Sequence, residues 1–273
     1  MNRAVLTGAT GGIGRAIAMR LAPQCESLLL VGRDAARLAQ LRREIGSAGG
    51  KCRVVAADLT AAGGREAVAR AAAEAPGGID LLINNAGAGE FAWLADQDDA
   101  ALERMVRLNA LAPMQLTRRL LPLLLAQPAA RIVNVGSIFG HLGYPGYAAY
   151  CATKFALRGF SEALRRELAD GPVQVTWFAP RATRTAMNRD AVGALNAELG
   201  IAMDDPAAVA EAFLDHLRRP TRERLLGMPE GLFARLNQIV PGLVDRALRR
   251  QLPVIRRHAR GEPPQPSSQG ALP

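Results

Sequence analysis

Only three cysteines occur in 273 residues: Cys25, Cys52 and Cys151. An odd number without metal-ligand spacing argues against a disulfide framework and against a zinc site. No metal ligand is assigned, and a reduced, cytoplasmic setting is expected. Long apolar runs are also missing. The densest, Leu120-Leu121-Pro122-Leu123-Leu124-Leu125, falls far short of the ~18 residues that a membrane span needs. No secretory leader is expected, because Asn2 to Gly8 already reads as strand and turn. Lysine is scarce. Lys51 and Lys154 stand alone in a chain that uses arginine for its other long cations. A lysine kept against that habit raises the question of a specific role.

What is present points to one large α/β domain. The length suits such a fold, and 49% hydrophobic residues supply a sizeable core. The net charge of +9 is local. Residues 218–260 hold eleven arginines against three acids, Glu223, Glu230 and Asp245. Such a patch differs from the even basicity of a protein that coats nucleic acid. No aromatic stacking platform accompanies the arginines, so nucleic acid is not an expected partner.

Short apolar runs alternate with helical patterns. Strands are expected at 4–6, 28–31, 54–57, 79–83, 132–135 and 173–178, with a seventh at 224–228. Several lack polar alternation, as parallel strands buried on both faces do. Helices are expected near 12–22, 34–47, 62–75, 98–126, 148–169 and 206–218. The alternation predicts a doubly wound parallel sheet of Rossmann type, about seven strands with helices on both faces. A catalytic domain is expected over 1–230, a basic amphipathic extension over 231–260 and a disordered tail over 261–273.

Thr7-Gly8-Ala9-Thr10-Gly11-Gly12-Ile13-Gly14 follows the first strand and opens the first helix. Glycines there let a pyrophosphate approach the free N–H groups of a helix start. By itself such a turn is also a ligand-free βα connection, and its place in a βαβ unit favours the dinucleotide. At the end of the second strand, where an acid grips the ribose of NAD, stands Gly32, followed by Arg33. A missing carboxylate and a free guanidinium suit a 2′-phosphate, so NADP(H) is expected over NAD(H).

Tyr150 and Lys154 lie at i and i+4, on one helix face. An ammonium beside a phenol lowers the phenol's pKa from its usual ~10 toward useful acid–base work. Tyr144 and Tyr147 compete for this role, but neither has a lysine four residues on. Ser137 follows the fifth strand and should stand at the carboxyl edge of the sheet, where open α/β folds bind ligands.

Taken in order, these motifs resemble the short-chain dehydrogenase/reductase family of single-domain type. They are Thr7-Gly8-x-x-x-Gly12-x-Gly14, Asp58, Asn84-Asn85-Ala86-Gly87, Asn109, Ser137 and Tyr150-x-x-x-Lys154. The resemblance implies that Tyr150 exchanges a proton with the substrate oxygen and that Ser137 orients that oxygen. It implies that Lys154 holds the nicotinamide ribose and that Asn109 supports a water-linked relay. Asp58 would meet adenine, Leu59 would add a further cofactor contact, and Asn85, Ala86 and Gly87 would line the ribose. Ile13, Pro180 and Thr185 complete the implied cofactor contacts. A small carbonyl or alcohol substrate and a homodimer or homotetramer are implied as well. One departure is Arg181, which follows Pro180 where many members have glycine. Another is that Gly8, Gly11 and Gly14 equally fit the longer sugar-nucleotide branch; Asn84 to Gly87 and the short chain argue against it. A different class of function, a non-catalytic dinucleotide sensor or scaffold on this fold, would not need Asn109, Ser137, Tyr150 and Lys154 together.

Downstream, Leu232, Phe233, Leu236, Ile239, Val240, Leu243, Val244 and Leu248 recur at helical spacing, with Pro241-Gly242 expected to kink or split the helix. Three readings fit: a helix packed on the domain or a second subunit, a lid over an apolar substrate, or peripheral contact with an anionic membrane. Arg181, Arg184 and the downstream arginines suggest an acyl substrate on an anionic handle, such as coenzyme A or an acyl carrier protein.

Overall fold

Val5 and Leu6 show how the sheet is built. Successive side chains on a strand point to opposite faces, and both faces here are covered. A computed structural model describes residues 2–188, 190–228 and 230–262. Seven strands form one sheet: β1 (Asn2–Thr7), β2 (Cys25–Gly32), β3 (Arg53–Ala56), β4 (Leu81–Asn84), β5 (Ala130–Val135), β6 (Val173–Ala179) and β7 (Glu223–Leu225). Their order is β3-β2-β1-β4-β5-β6-β7, and every pairing is parallel. The expected doubly wound parallel sheet is what the chain forms.

Leu6, Leu30, Ile83, Val133 and Phe178 pack on one face, against α1 (Gly12–Leu21), α2 (Ala35–Ser47) and α8 (Pro206–Arg218). Val5, Leu29, Leu82, Ile132 and Val175 pack on the other, against α3 (Ala62–Ala73), α5 (Ala112–Leu125) and α6 (Ala148–Glu167). Strands with apolar residues in consecutive positions therefore have a layer on each side to fill. β1 pairs with both β2 and β4. Successive crossovers leave it in opposite directions, and this reversal opens a crevice at the carboxyl edge.

The single helix expected over 98–126 is interrupted. α4 (Asp99–Val106) leads into a π-helical turn, Arg107–Leu111, before α5 begins. The inserted residue shifts the helical register just where Asn109 sits, and single π turns often mark functional positions. A short helix α7 (Ala191–Glu198), not anticipated from the sequence, follows β6.

The downstream segment splits at Pro241 as expected, into α9 (Glu230–Ile239) and α10 (Pro241–Arg260). Both helices are tied to the sheet domain. Asn237 Nδ2 donates to the carbonyl of His141 at 3.0 Å. His258 meets Glu198 at 2.7 Å, and Arg257 pairs with the same carboxylate. Arg256 lies over the ring of Trp93 at 5.2 Å. Gly261 closes α10 in the left-handed conformation. The rest of the expected tail, 263–273, lies outside the described residues. Among the described residues no helix is long and apolar enough to cross a membrane.

Candidate active site

Gly8 turns the chain out of β1 with φ +65°, a conformation that favours glycine. Gly14 lies against the same turn. A β-carbon there would sit 2.1 Å from the Gly8 carbonyl oxygen, so nothing larger fits. No side chain caps the N-terminus of α1, and its first N–H groups stay open to a ligand. Thr7 is placed beneath this turn rather than in it. Its Oγ1 accepts the N–H groups of Asn85 (2.9 Å) and Ala86 (3.0 Å), and Asn85 Nδ2 donates to the Thr7 carbonyl at 3.0 Å. Thr7 thus stitches the loop after β4 to the glycine turn across the crevice.

One cavity of about 640 Å³ runs along the carboxyl edge. Gly8, Gly12, Ile13, Gly14, Arg33, Leu59, Asn85, Ala86, Gly87, Ser137, Tyr150, Lys154, Pro180 and Thr185 all line it. Thr7, Asp58 and Asn109 do not. Asp58 is exposed, and its Oδ1 accepts from the N–H and the hydroxyl of Thr60 at 2.9 and 2.8 Å. Those bonds, the backbone one foremost, hold its carboxyl below the usual range.

Asn109 is fully buried. Its Nδ2 donates to the Ala88 carbonyl (2.7 Å) and to Thr153 Oγ1 (3.1 Å), and its Oδ1 accepts from Ala88 N–H (2.8 Å). The π turn therefore brings Asn109 between the β4 loop and α6. A β-carbon at Gly87 would stand 3.3 Å from Asn109 Oδ1 and 3.5 Å from Lys154 Nζ. Two polar groups converge on that glycine.

Lys154 is 4% exposed, yet among the described residues its ammonium has only one bond, a long 3.4 Å contact to the Val135 carbonyl. Burial pushes its pKa down to about 8. A buried ammonium with donors to spare, lining a cavity, is a group that awaits an acceptor. Ser137 Oγ accepts the N–H of Phe139 at 3.1 Å, and its hydroxyl stands near enough to the Tyr150 phenol to draw that phenol's pKa down.

The expectation that Lys154 lowers the Tyr150 pKa is not met. Lys154 Nζ lies 5.6 Å from the ring centroid. Burial dominates and pushes the phenol up to about 12, with the Ser137 hydroxyl pulling the other way. The aromatic wall explains this desolvation. Phe139 packs 5.2 Å from Tyr147 and 6.3 Å from Tyr150, and Tyr147 lies 5.9 Å from Tyr150. Tyr144 and Tyr147 share that wall, and both are also pushed up by burial. Only Tyr150 joins Ser137.

At the other end, Arg33 is exposed and has no ion-pair partner among the described residues. Asp34, its neighbour, instead caps α2 by accepting from Arg37 N–H at 3.0 Å. Sequence reading missed Arg37, which lines the cavity beside Arg33 and donates to the Thr10 carbonyl at 2.8 Å. Its spacing of four from Arg33, at a helix start, was the available signal. α7 also escaped notice. It supplies Val192, Leu195 and Asn196 to the cavity wall, and the Asn196 Nδ2 is buried without a hydrogen-bond partner among the described residues.

Arg181 is not the free cation that its place after Pro180 suggests. It lines the cavity, but its charge is taken up. Nη2 meets Asp204 at 2.8 Å and Nη1 meets Glu230 at 3.1 Å. Gly227 makes room for it, since a β-carbon there would lie 2.3 Å from Arg181 Cδ. Arg184 donates to the Met203 carbonyl at 2.6 Å. Arg181 therefore does not offer the free cation that an anionic handle requires, whereas Arg184 is exposed and pairs with no acid among the described residues. The lid reading of the downstream helices has a counterpart, since Phe233, Val244, Ala247, Leu248 and Gln251 form the far wall.

A family model described as short chain dehydrogenase matches residues 2–195. A ketoacyl reductase, HetN, of Nostoc sp. is 31% identical over 252 residues, 90% of this chain and 87% of that protein. Among solved structures, a short-chain dehydrogenase/reductase from Burkholderia phymatum in complex with NAD superposes with TM-score 0.79 at 26% identity, covering 89% of this chain and 95% of that one. A short-chain dehydrogenase from Sphingobium yanoikuyae in complex with NADPH gives TM-score 0.76 at 27% identity, covering 90% and 96%. The chain belongs to the short-chain dehydrogenase family.

Proposed function

We propose that this protein is an NADP(H)-dependent carbonyl reductase with Tyr150 as its proton donor. The observation that carries the reading is one cavity lined by the glycine turn, Arg33, Ser137, Tyr150 and Lys154. The open N-terminus of α1 and the ammonium of Lys154 fit the pyrophosphate and ribose of a dinucleotide. Relatives of known structure hold NAD or NADPH, so the choice between them rests on this chain's own residues. Gly32 offers no carboxylate, and a β-carbon there would crowd Thr10 Oγ1 at 3.3 Å. Arg33 and Arg37 flank that spot, and planar guanidiniums suit a phosphate.

The nicotinamide would supply the hydride, and the protein the proton and the alignment. A phenol held up near 12 stays protonated at neutral pH, which is the form a carbonyl reduction needs. Ser137 presents its hydroxyl at the same point, so it can polarise a substrate oxygen and stabilise the phenolate left behind. Asn109 acts at one remove: it fixes the β4 loop and α6, and so the position of Lys154.

Substrate class follows from the far wall. Leu195, Leu199, Ile201, Phe233, Val244 and Leu248 favour a bulky apolar ketone or acyl compound over a small polar one. HetN, named as a ketoacyl reductase, is in keeping with that. The test is NADPH oxidation against a panel of aldehydes, ketones and acyl thioesters, followed by Tyr150→Phe on the best substrate. Turnover should fall by ~10²–10⁴-fold with NADPH affinity kept. Near-normal turnover in the variant would overturn the assignment. No oxidation across the panel, with NADPH still bound, would favour the sensor reading.

A further inference from the structure

The corner between α9 and α10 is an apolar knuckle set among cations. Ile239 is 78% exposed, Val240 41% and Leu243 51%, and Leu232 on α9 is 55% exposed. Single exposed apolar residues are ordinary, but a cluster of large ones at one helix junction marks a contact surface. The cations are arranged with it. On α9, Leu232, Arg235 and Ile239 fall at i, i+3 and i+7 and share a stripe. On α10, Leu243, Arg246 and Arg250 repeat that spacing. Arg235, Arg246, Arg249 and Arg250 are exposed and take part in no ion pair among the described residues. Asp245 is the one carboxylate between positions 231 and 261.

This pattern limits what can cover the knuckle. A second copy meeting it across a two-fold axis would set arginine against arginine, with little acid to offset them. An anionic bilayer satisfies both halves at once. Apolar tips enter the acyl boundary while guanidiniums meet lipid phosphates. We propose that the α9–α10 corner docks this protein peripherally on an anionic phospholipid bilayer. The proposal stands independently of the reductase reading. It has one consequence for that reading. Phe233, 41% exposed, also lines the cavity, as do Val244 and Leu248 of α10. Docking would set the mouth of the cavity against the lipid, where apolar substrates concentrate.

Vesicle co-sedimentation of the full chain tests this. Vesicles of phosphatidylcholine mixed with phosphatidylglycerol should retain the protein, and phosphatidylcholine alone should not. Each arginine near a charged surface contributes about fivefold, so Arg246→Gln with Arg250→Gln should weaken binding roughly 25-fold. Ile239→Asp with Leu243→Asp should abolish it. These four residues lie outside the cavity, so NADPH affinity and melting temperature serve as controls and should not change. Indifference to phosphatidylglycerol, or retention of the Ile239→Asp/Leu243→Asp variant at the wild-type level, would overturn the proposal. So would light scattering showing an oligomer that this variant splits, since the corner would then be a subunit interface. Loss of NADPH binding by the wild-type chain would count against the reductase reading alone.

Discussion

His216 makes the fold sensitive to acid in a way that can be calculated. It lies on α8 with no exposed surface, 5.8 Å from the ring of Phe178, and neither ring nitrogen has a hydrogen-bond partner among the described residues. Burial, helped by the nearby Arg224 and Arg131, pushes its pKa from 6.5 down to about 4. The folded state therefore resists protonation that the unfolded state accepts. Above pH ~6.5 both states carry a neutral ring and the full stability is present. As pH falls from 6.5 toward 4 the unfolded chain binds a proton first, and stability is lost. Below about 4 both states are charged and the loss levels off. A shift of that size corresponds to at most ~3.5 kcal/mol at ~1.4 kcal/mol per unit, a large part of the 5–15 kcal/mol typical of a domain. His216→Leu removes the titration and two orphaned nitrogens at roughly constant volume. Urea unfolding of both proteins from pH 7.5 to 4 is the assay. The stability difference, variant minus wild type, should rise as pH falls. Carboxylates and the other two histidines, His141 and His258, cancel in that difference. A difference that stays flat across the range would refute the argument.

Two further outcomes are expected. Arg33→Ala should weaken NADPH by ~10–100-fold, the worth of a charged hydrogen-bonding group, and leave NADH nearly unchanged in fluorescence titration; equal losses would remove the basis for the cofactor preference. Arg181→Ala leaves Asp204 and Glu230, each about one-fifth exposed, facing one another without their shared cation. It should lower stability by ~1–3 kcal/mol in urea, and Arg181→Lys should recover only part, because one ammonium cannot replace a guanidinium that bonds both acids.

Much of this protein follows from local rules. Strands such as Leu28 to Val31 carry apolar residues in consecutive positions, a pattern that requires cover on both faces and so a parallel sheet. Gly8 and Gly14 are fixed by backbone geometry alone. Tyr150 and Lys154 share a face because a helix repeats every 3.6 residues. Pro241 splits the downstream helices because it cannot donate the hydrogen bond that a continuous helix needs. The rest depended on groups far apart in sequence. Whether Tyr150 is pushed up or down is a balance between desolvation and charge, and only the packed wall of Phe139 and Tyr147 decided it. Arg181 reads in the sequence as a free cation beside the pocket; Asp204 and Glu230, 23 and 49 positions away, neutralise it in the fold. Asn109 required the π turn, and the far wall required α7 and α10 to fold back onto the cavity. Periodicity and backbone sterics act within a few residues, so the sequence displays them directly. Burial and pairing depend on which distant segments meet, and that is settled only when the chain has packed.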